Sequence, residues 1–205
     1  MILVGMLDSP YVRRVAVSMK LVGLPFEHQS VSVFRHMDRF RAINPVIKAP
    51  TFVCDDGTVL MDSTLILDYL EHSVAAGNGL MPPGGEPRKE ALRIIGLAMA
   101  ACEKCVTMIY EKQQRPPEKR HEPWLERVSA QANAALGELE PIAAGTRGWL
   151  QGDRVTAADV ALACTWRFTR YYEREVGIPA SRYPAIAAHS GRAEALPEFA
   201  STPLD

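Results

Sequence analysis

The most informative stretch of the sequence is ILVGMLDSPYVRRVAVSMKLVG, residues 2–23. Its first four residues, 2–5, form a short apolar run that is typical of a buried strand. Ser9 then precedes Pro10, and this pair favours the start of a helix, because serine is a preferred N-cap and proline is tolerated at the first helical position. Gly23 marks the end of that helix. The stretch therefore predicts a strand that leads directly into a helix.

The predicted helix is amphipathic, with one apolar stripe and several basic residues away from it. The stripe consists of Val12, Val15, Ala16 and Met19, and the basic residues are Arg13, Arg14 and Lys20.

Strand and helix patterns continue to alternate up to residue 70. The segment Asp55-Asp56-Gly57 is a strong hairpin signal between two short apolar runs. A strand–helix–strand unit requires a parallel pair with a right-handed crossover, so the whole region predicts a small mixed four-stranded sheet covered by helices. In order, the further elements are a strand at 26–33, a weaker helix at 34–43, strands at 51–54 and 58–61, and a helix capped by Asp62-Ser63 and continuing through Leu70.

Residues 75–87 are dense in glycine and proline. Such a stretch is predicted to hold neither helix nor strand, and we interpret it as a linker between a first domain at 1–74 and a second at 88–205. Only helical periodicity follows it. The predicted helices lie near 91–109, near 125–142, after the capping-box variant Thr156-Ala157-Ala158-Asp159, and, as a last short helix, between Pro184 and Leu196.

Composition excludes several classes of function. The chain has 205 residues, a formal net charge of −1 and four cysteines. The balanced charge argues against a nucleic-acid partner and against a basic membrane-binding surface. No apolar run approaches the roughly 20 residues that span a bilayer, and the residues before Asp8 do not resemble a signal peptide. With no disulfide pattern either, we expect a cytoplasmic protein that binds neither nucleic acid nor membrane.

Three local features of the first domain could bind an anionic, peptide-like ligand. Ser9 lies at a strand-to-helix turn, where free backbone N–H groups and the positive end of the helix dipole favour an anion. Lys48-Ala49-Pro50 precedes a strand, and a cis proline there would leave the Ala49 backbone free to pair with an extended ligand. Asp62-Ser63 begins another helix and could bind an ammonium and a carboxylate. Taken singly, the serines and Asp62 are explained as helix caps, and Pro50 as a trans residue that stops strand extension.

These segments resemble those of cytosolic glutathione S-transferases. The resemblance rests on Ser9-Pro10-Tyr11-Val12-Arg13-Arg14, Asn44-Pro45-Val46-Ile47-Lys48-Ala49-Pro50 and Asp62-Ser63-Thr64-Leu65-Ile66, together with Gly152-Asp153-Arg154-Val155-Thr156-Ala157-Ala158-Asp159 in the second half. It covers nearly the whole chain. It implies a thioredoxin-like N-terminal domain, an all-helical C-terminal domain, a homodimer and a role in detoxification. The family more often has Glu at the position of Asp62, and Gly-Lys-Val-Pro in place of Ile47-Lys48-Ala49-Pro50.

The resemblance also implies residue roles. Ser9 would stabilise the glutathione thiolate, with the nearby Tyr11 as the alternative residue for this role. Ala49 would pair its backbone with the cysteinyl part of glutathione, beside a cis Pro50. The remaining glutathione-binding residues would be Lys48, and Asp62 and Ser63 at the γ-glutamyl end.

A pocket for an electrophilic substrate is expected between the domains. The alternative for each candidate is an ordinary core residue, because apolar stripes usually face the core. The candidates are Tyr11, Val106, Ile109, Tyr110, Phe168, Tyr171 and Tyr172.

The sequence thus indicates a glutathione transferase that uses glutathione as co-substrate and no metal, with peroxidase or isomerase activity also open. The alternative is a glutathione- or ligand-binding protein of the same fold without useful turnover. The segment Cys102-Glu103-Lys104-Cys105 is predicted to pack in the core, because it lies inside a long helix and lacks further metal ligands. The basic group Arg35, His36, Arg39 and Arg41 is either a solvated helix face or a partner for the glycyl carboxylate of glutathione.

Overall fold

The computed structural model describes residues 1–75 and 77–205; Ala76, in the predicted linker, lies outside them. The chain divides into two compact units. The first contains Met1–Met81 together with Ala195–Asp205, and the second contains Pro82–Glu194. The second unit is therefore an insertion in the sequence of the first, whose last eleven residues return after it.

The first unit is built on a mixed four-stranded sheet in the order β2-β1-β3-β4. β1 pairs in parallel with β2 and antiparallel with β3, and β3 pairs antiparallel with β4. The predicted fold class is confirmed. The elements of this unit are β1 (Ile2–Val4), α1 (Pro10–Leu21), β2 (Glu27–Gln29), α2 (Met37–Ile43), β3 (Thr51–Val53), β4 (Val59–Met61), α3 (Ser63–Glu71) and α9 (Pro197–Ala200).

The core of the first unit lies between the sheet, α1 and α3. Leu3 of β1 and Phe52 of β3 are paired neighbours in the sheet, and both are fully buried. Val12 and Val15 of α1 and Ile66 of α3 pack against them, also with no exposure. The apolar stripe of the predicted helix is thus the face that covers the sheet.

The second strand and helix are shorter than predicted. β2 ends at Gln29 instead of residue 33, and α2 begins at Met37 instead of residue 34. Between them the Ser32 hydroxyl accepts the backbone N–H groups of Phe34 and Arg35, at 3.2 and 3.1 Å. A serine side chain that bonds its neighbours' backbone favours a turn over a ladder or a helix, which explains both differences.

Arg13 and Arg14 lie off the apolar stripe of α1, yet each is only 2% exposed. Arg13 Nε donates to the Thr202 carbonyl at 2.8 Å, and its guanidinium stacks over the Phe199 ring, 5.6 Å from the centroid. Residues 195–205 therefore cover a flank of α1 that lies off its apolar stripe. A buried guanidinium is tolerated here because the carbonyl oxygens of Thr202 and Phe199 accept hydrogen bonds from it.

The second unit is all-helical. Its elements are α4 (Gly85–Gln113), α5 (Glu122–Ala144), α6 (Ala157–Tyr171), α7 (Glu173–Val176) and α8 (Pro184–Glu194). Two predictions are wrong. α4 begins at Gly85, inside the stretch expected to hold no helix, because Pro87 lies in the first turn where no N–H is needed. The helix near Pro184 is not the last one, since α9 follows it.

Cys102 and Cys105 pack in the core of the second unit, fully buried on α4. Burial raises the pKa of the Cys105 thiol to about 11, although its contact with the Thr169 hydroxyl, 3.6 Å away, lowers it. All four cysteines are free and buried. Among the residues that the structure describes, no helix is long and apolar enough to cross a membrane, and no group of three His, Cys, Asp or Glu side chains is arranged to hold a metal ion.

Candidate glutathione site

Ser9 caps the N-terminus of α1. Its backbone is extended, with φ −70° and ψ 119°, and its Oγ accepts the Val12 N–H at 3.4 Å. The predicted cap is confirmed. Within the described ranges, no protein acceptor takes the Ser9 hydroxyl proton. The half-buried hydroxyl can therefore donate to a ligand at the positive end of the helix.

The loop between β1 and α1, residues 5–9, is held at several points. The Gly5 N–H donates to the Gln29 carbonyl at 3.0 Å, and the His28 ring lies 2.8 Å from the Gly5 carbonyl. At the other end, the Ser9 N–H donates to the Met6 carbonyl at 3.2 Å. Sequence reasoning missed His28, because its role depends on its position opposite the end of β1 and leaves no local motif.

Ala49 and Pro50 are joined by a cis peptide bond, as the family resemblance implies. Among the described residues, no protein group is hydrogen-bonded to the Ala49 N–H or C=O. A Cβ placed on Gly5 would lie 3.2 Å from the Ala49 Cβ, so Ala49 lies against the start of the loop 5–9. Its backbone is available to an extended ligand beside Ser9.

Ile47 enters this segment with a φ of 53°. A β-branched residue is rarely found in that left-handed region, and the strain falls where the family more often has glycine.

Lys48 and Asp62 meet at the start of α3. Lys48 Nζ lies 3.6 Å from Asp62 Oδ2, and both side chains remain about half exposed. Asp62 is the N-cap of α3, with Oδ1 accepting the Thr64 N–H at 2.9 Å. Its backbone φ of 72° is unusual for a residue other than glycine, although aspartate tolerates this region better than most. The carboxylate and the ammonium together present both charges to a ligand with a free amino-acid end.

Ser63 follows Asp62 and is only 4% exposed. Its Oγ accepts from Arg14 Nη1 at 3.3 Å, and the same nitrogen lies 3.3 Å from Thr64 Oγ1. Arg14 therefore links α1 to the first turn of α3 and brings a positive charge to it. The sequence analysis missed this role, although Arg14 belongs to the motif that carries the resemblance. A cation beside a helix N-terminus strengthens its attraction for a carboxylate.

The candidates for the electrophile pocket differ widely in exposure. Tyr11 is half-buried in the first unit, and Val106 is half-buried on α4. Ile109 and Phe168 are core residues of the second unit, 3% and 5% exposed. The exposed candidates are Tyr110 and Tyr171; the ring of Tyr172 lies 4.9 Å from that of Tyr171 and 5.0 Å from that of Phe168.

The basic residues at 35–41 differ in their contacts. Arg35 Nη2 lies 3.0 Å from the Met6 sulfur, in the loop 5–9, whereas Arg41 pairs with Asp38 on the exposed face of α2. His36 and Arg39 are exposed.

Two family models match this chain. A model of the glutathione S-transferase N-terminal domain matches residues 3–78, and a model of the C-terminal domain matches residues 122–192. Among curated relatives, the uncharacterized GST-like protein YibF of Escherichia coli is 28% identical over 79% of this chain and 78% of its own. Maleylacetoacetate isomerase of Pseudomonas aeruginosa is 26% identical over 91% and 87%.

Solved structures give the same result. A glutathione S-transferase from Methylobacterium radiotolerans, in complex with glutathione sulfonate, is 29% identical with a TM-score of 0.88 and covers 100% of this chain and 95% of its own. A glutathione transferase family member from Pseudomonas fluorescens with bound glutathione is 27% identical, with a TM-score of 0.83 and coverage of 100% and 98%. The chain therefore belongs to the glutathione S-transferase family, and the expectation of an enzyme of that family is confirmed.

Proposed function

We propose that the protein is a glutathione S-transferase in which the Ser9 hydroxyl stabilises the thiolate of bound glutathione for attack on a small apolar electrophile. The observation that carries the proposal is the hydrogen bonding of the Ser9 hydroxyl. Its oxygen accepts the Val12 N–H, while among the described residues its proton has no protein acceptor. An O–H donor at a helix N-terminus stabilises an anion placed there.

A hydrogen bond from Ser9 and the helix terminus together supply enough free energy to lower the pKa of the glutathione thiol. A free thiol with a pKa near 8.5 is only a few per cent ionised at neutral pH. Lowering that pKa by about two requires roughly 2.7 kcal/mol. A hydrogen bond to a charged acceptor contributes roughly 1.5–3 kcal/mol and a helix terminus roughly 0.3–1 kcal/mol. Ionisation alone raises the rate about thirtyfold, so further acceleration must come from holding the electrophile beside the sulfur.

The remainder of glutathione would extend from Ser9 along the first unit. The Ala49 N–H and C=O would pair with the cysteinyl main chain next to Pro50. The γ-glutamyl end carries an ammonium and a carboxylate, and the half-exposed Asp62 carboxylate and the Ser63 helix terminus are complementary to them. Lys48, which is half exposed beside Asp62, adds a cation at that end. On this proposal residues 1–74 form the glutathione-binding domain and residues 88–205 supply the electrophile site.

The test is a titration of the thiol of bound glutathione by ultraviolet absorbance. We expect a pKa well below that of free glutathione in the native protein, and a return toward the free value in Ser9→Ala, with about thirtyfold less thiolate at neutral pH. Ser18→Ala is the matched control, because this serine lies on the same helix and is buried, and its hydroxyl makes no hydrogen bond to any described residue. A native protein that binds glutathione without lowering its pKa would be a binding protein, as in the alternative hypothesis.

Tyr11 is tested in parallel by Tyr11→Phe. If this variant loses the lowered thiol pKa and Ser9→Ala keeps it, the stabilising hydroxyl is that of Tyr11. If both keep it, the backbone N–H groups of the first turn of α1 are responsible.

A second candidate activity is glutathione-dependent isomerisation of a maleyl compound. It is favoured by the isomerase relative, which matches along 91% of this chain. A further relative in structure, a maleylacetoacetate isomerase from a Methylobacterium with bound malonate and glutathione, is 27% identical with a TM-score of 0.71. Assaying maleylacetoacetate, a hydroperoxide and an aromatic halide with glutathione separates isomerase, peroxidase and conjugating activity.

We also propose that the protein is a cytoplasmic homodimer. Exposed apolar side chains cluster on β4 and α3, where Val59 is 39%, Leu65 65% and Tyr69 44% exposed. Leu65 and Tyr69 are one turn apart on the same face of α3, and exposed apolar side chains that share a face are typical of an interface. Analytical ultracentrifugation should give twice the chain mass, and Leu65→Glu should shift the protein toward monomer.

A further inference from the structure

Asp205 binds the loop 5–9 from the far end of the sequence. Its Oδ1 accepts the backbone N–H groups of Leu7 and Asp8, the latter at 3.1 Å, and its Oδ2 accepts the Ser30 hydroxyl. Two consecutive N–H groups that point at one oxygen form a small anion-binding nest. The carboxylate thus fixes the backbone of the two residues that immediately precede Ser9.

The segment that carries Asp205 is itself firmly attached to α1. Arg13, almost fully buried, donates to the carbonyls of Thr202 and Phe199 at 2.8 and 3.2 Å. Lys20 Nζ donates to the Ser201 carbonyl and hydroxyl at 3.0 and 2.8 Å. Because the segment is anchored on α1, Asp205 approaches the loop from a position fixed relative to the helix that Ser9 caps.

We propose that Asp205 is a positioning residue for thiolate stabilisation, acting through the loop and not on the substrate. Ser9 must hold its hydroxyl within hydrogen-bond reach of the glutathione sulfur, and a displacement of about 1 Å greatly weakens such a contact. The loop is tied to β2 at Gly5 by Gln29 and His28, and Asp205 ties its middle at Leu7 and Asp8. The inference rests on the proposed role of Ser9.

The alternative effect of Asp205 is electrostatic. A negative charge near a thiolate disfavours ionisation, so removing only the charge would increase the thiolate population. The positioning role predicts the opposite result when the tether is removed. Asp205→Asn separates the two effects, because its amide oxygen can accept both N–H groups and its amide nitrogen can donate to Ser30, so that the tether is kept without the charge.

The experiment measures the thiolate fraction of bound glutathione by ultraviolet absorbance in the full-length chain. Asp205→Ala should hold about threefold less thiolate than the native protein at a pH below the pKa of the bound thiol. Asp205→Asn should stay close to the native protein. Ser201→Ala is the matched control, since it removes only the exposed hydrogen bonds of one hydroxyl, while the carbonyls of Phe199, Ser201 and Thr202 still anchor the segment to Arg13 and Lys20. Ser30→Ala removes one of the three donors and should give a smaller loss than Asp205→Ala.

Binding of S-methylglutathione, which has no thiol proton, provides the second measurement. Its Kd should change less than about twofold in every variant, because the contacts proposed for Ala49, Asp62 and Ser63 do not involve the tether. An equal loss of thiolate in Asp205→Ala and Ser201→Ala would overturn the inference. So would a thiolate gain in Asp205→Asn and Asp205→Ala alike. A native protein with no lowering of the thiol pKa would instead overturn the proposed role of Ser9 itself.

Discussion

Gly5 lies in a crowded position between two segments of the candidate site. Its φ is 140°, and a Cβ added there would lie 2.6 Å from Val12 Cγ2 and 3.2 Å from the Ala49 Cβ. The absence of a side chain at Gly5 thus makes room for the side chains of Val12 and Ala49. Any side chain would push apart the two segments proposed to hold the cysteinyl part of glutathione.

Gly5→Ala is therefore expected to lower the free energy of unfolding by roughly 3 kcal/mol, from positive-φ strain and overpacking together. Gly23→Ala is the control. It also has a positive φ, 70°, but none of the described atoms lies within 4 Å of its added Cβ. Gly23→Ala should lower the free energy of unfolding by about 1 kcal/mol. Urea denaturation of both variants measures the difference, and equal losses would show that crowding at Gly5 is unimportant.

At the residue scale, the sequence predicts what depends on neighbours in the chain. Ser9 and Asp62 are identified as helix caps because cap preferences are local. Arg14 and Asp205 could not be assigned in this way. Their partners are 49 and 198 residues away, so their roles depend on how the elements pack.

The start of α6 is the best-defined helix terminus of the second unit. Asp159, fully buried, accepts the N–H and hydroxyl of Thr156 at 2.8 and 2.7 Å and the Leu150 N–H at 2.8 Å. A cap that also holds the preceding loop fixes the helix and its entry angle together. The capping-box variant predicted at Thr156-Ala157-Ala158-Asp159 is confirmed by this geometry.

Asp159→Asn should lower the free energy of unfolding by about 2–3 kcal/mol, because the new amide nitrogen cannot accept a hydrogen bond and leaves buried donors unsatisfied. Asp153→Asn, at an exposed position of the same loop, should change it by less than about 0.5 kcal/mol. Chemical denaturation checks both. If Asp159→Asn lowered the free energy of unfolding by less than about 1 kcal/mol, Asp159 would act as an ordinary surface cap and would not fix the preceding loop.

At the scale of elements, periodicity and caps locate most helices and all four strands. The predicted and observed boundaries differ where a local side-chain or proline effect competes with the hydrophobic periodicity. The Ser32 hydroxyl shortens β2 and delays α2, and Pro87 fits a first helical turn instead of preventing one. The parallel pairing of β1 with β2 and the antiparallel pairing of β3 with β4 follow from the crossover and hairpin rules.

For the whole molecule, His189 links stability to pH. It is fully buried on α8, and neither ring nitrogen has a hydrogen-bond partner among the described residues. Burial lowers the pKa of His189 below its ordinary value of 6.5, and the charge of Arg192 lowers it further, although the Asp159 carboxylate, 3.7 Å away, raises it. The Trp149 ring covers it edge-on, 5.9 Å between centroids.

Because the unfolded chain takes up a proton at this histidine before the folded chain does, stability is full above pH 6.5 and falls as the pH decreases below it. The slope contributed by one proton is at most about 1.4 kcal/mol per pH unit. Denaturation of the native protein and His189→Gln between about pH 7.5 and 5.5 tests this, and the variant should show the flatter dependence. If the stability of the two proteins depended on pH in the same way, other groups would be responsible for the acid sensitivity.

The buried Arg13 has a consequence for protein engineering. Exchange of sections between members of the family would naturally be planned at the joint near residue 81, treating everything before it as a portable module. A hybrid made in this way would receive a foreign stretch in place of residues 195–205 and could lose the carbonyls of Phe199 and Thr202 on which the guanidinium relies. A buried charge that has lost its hydrogen-bond partners strongly destabilises a protein. Grafts should therefore carry both pieces together.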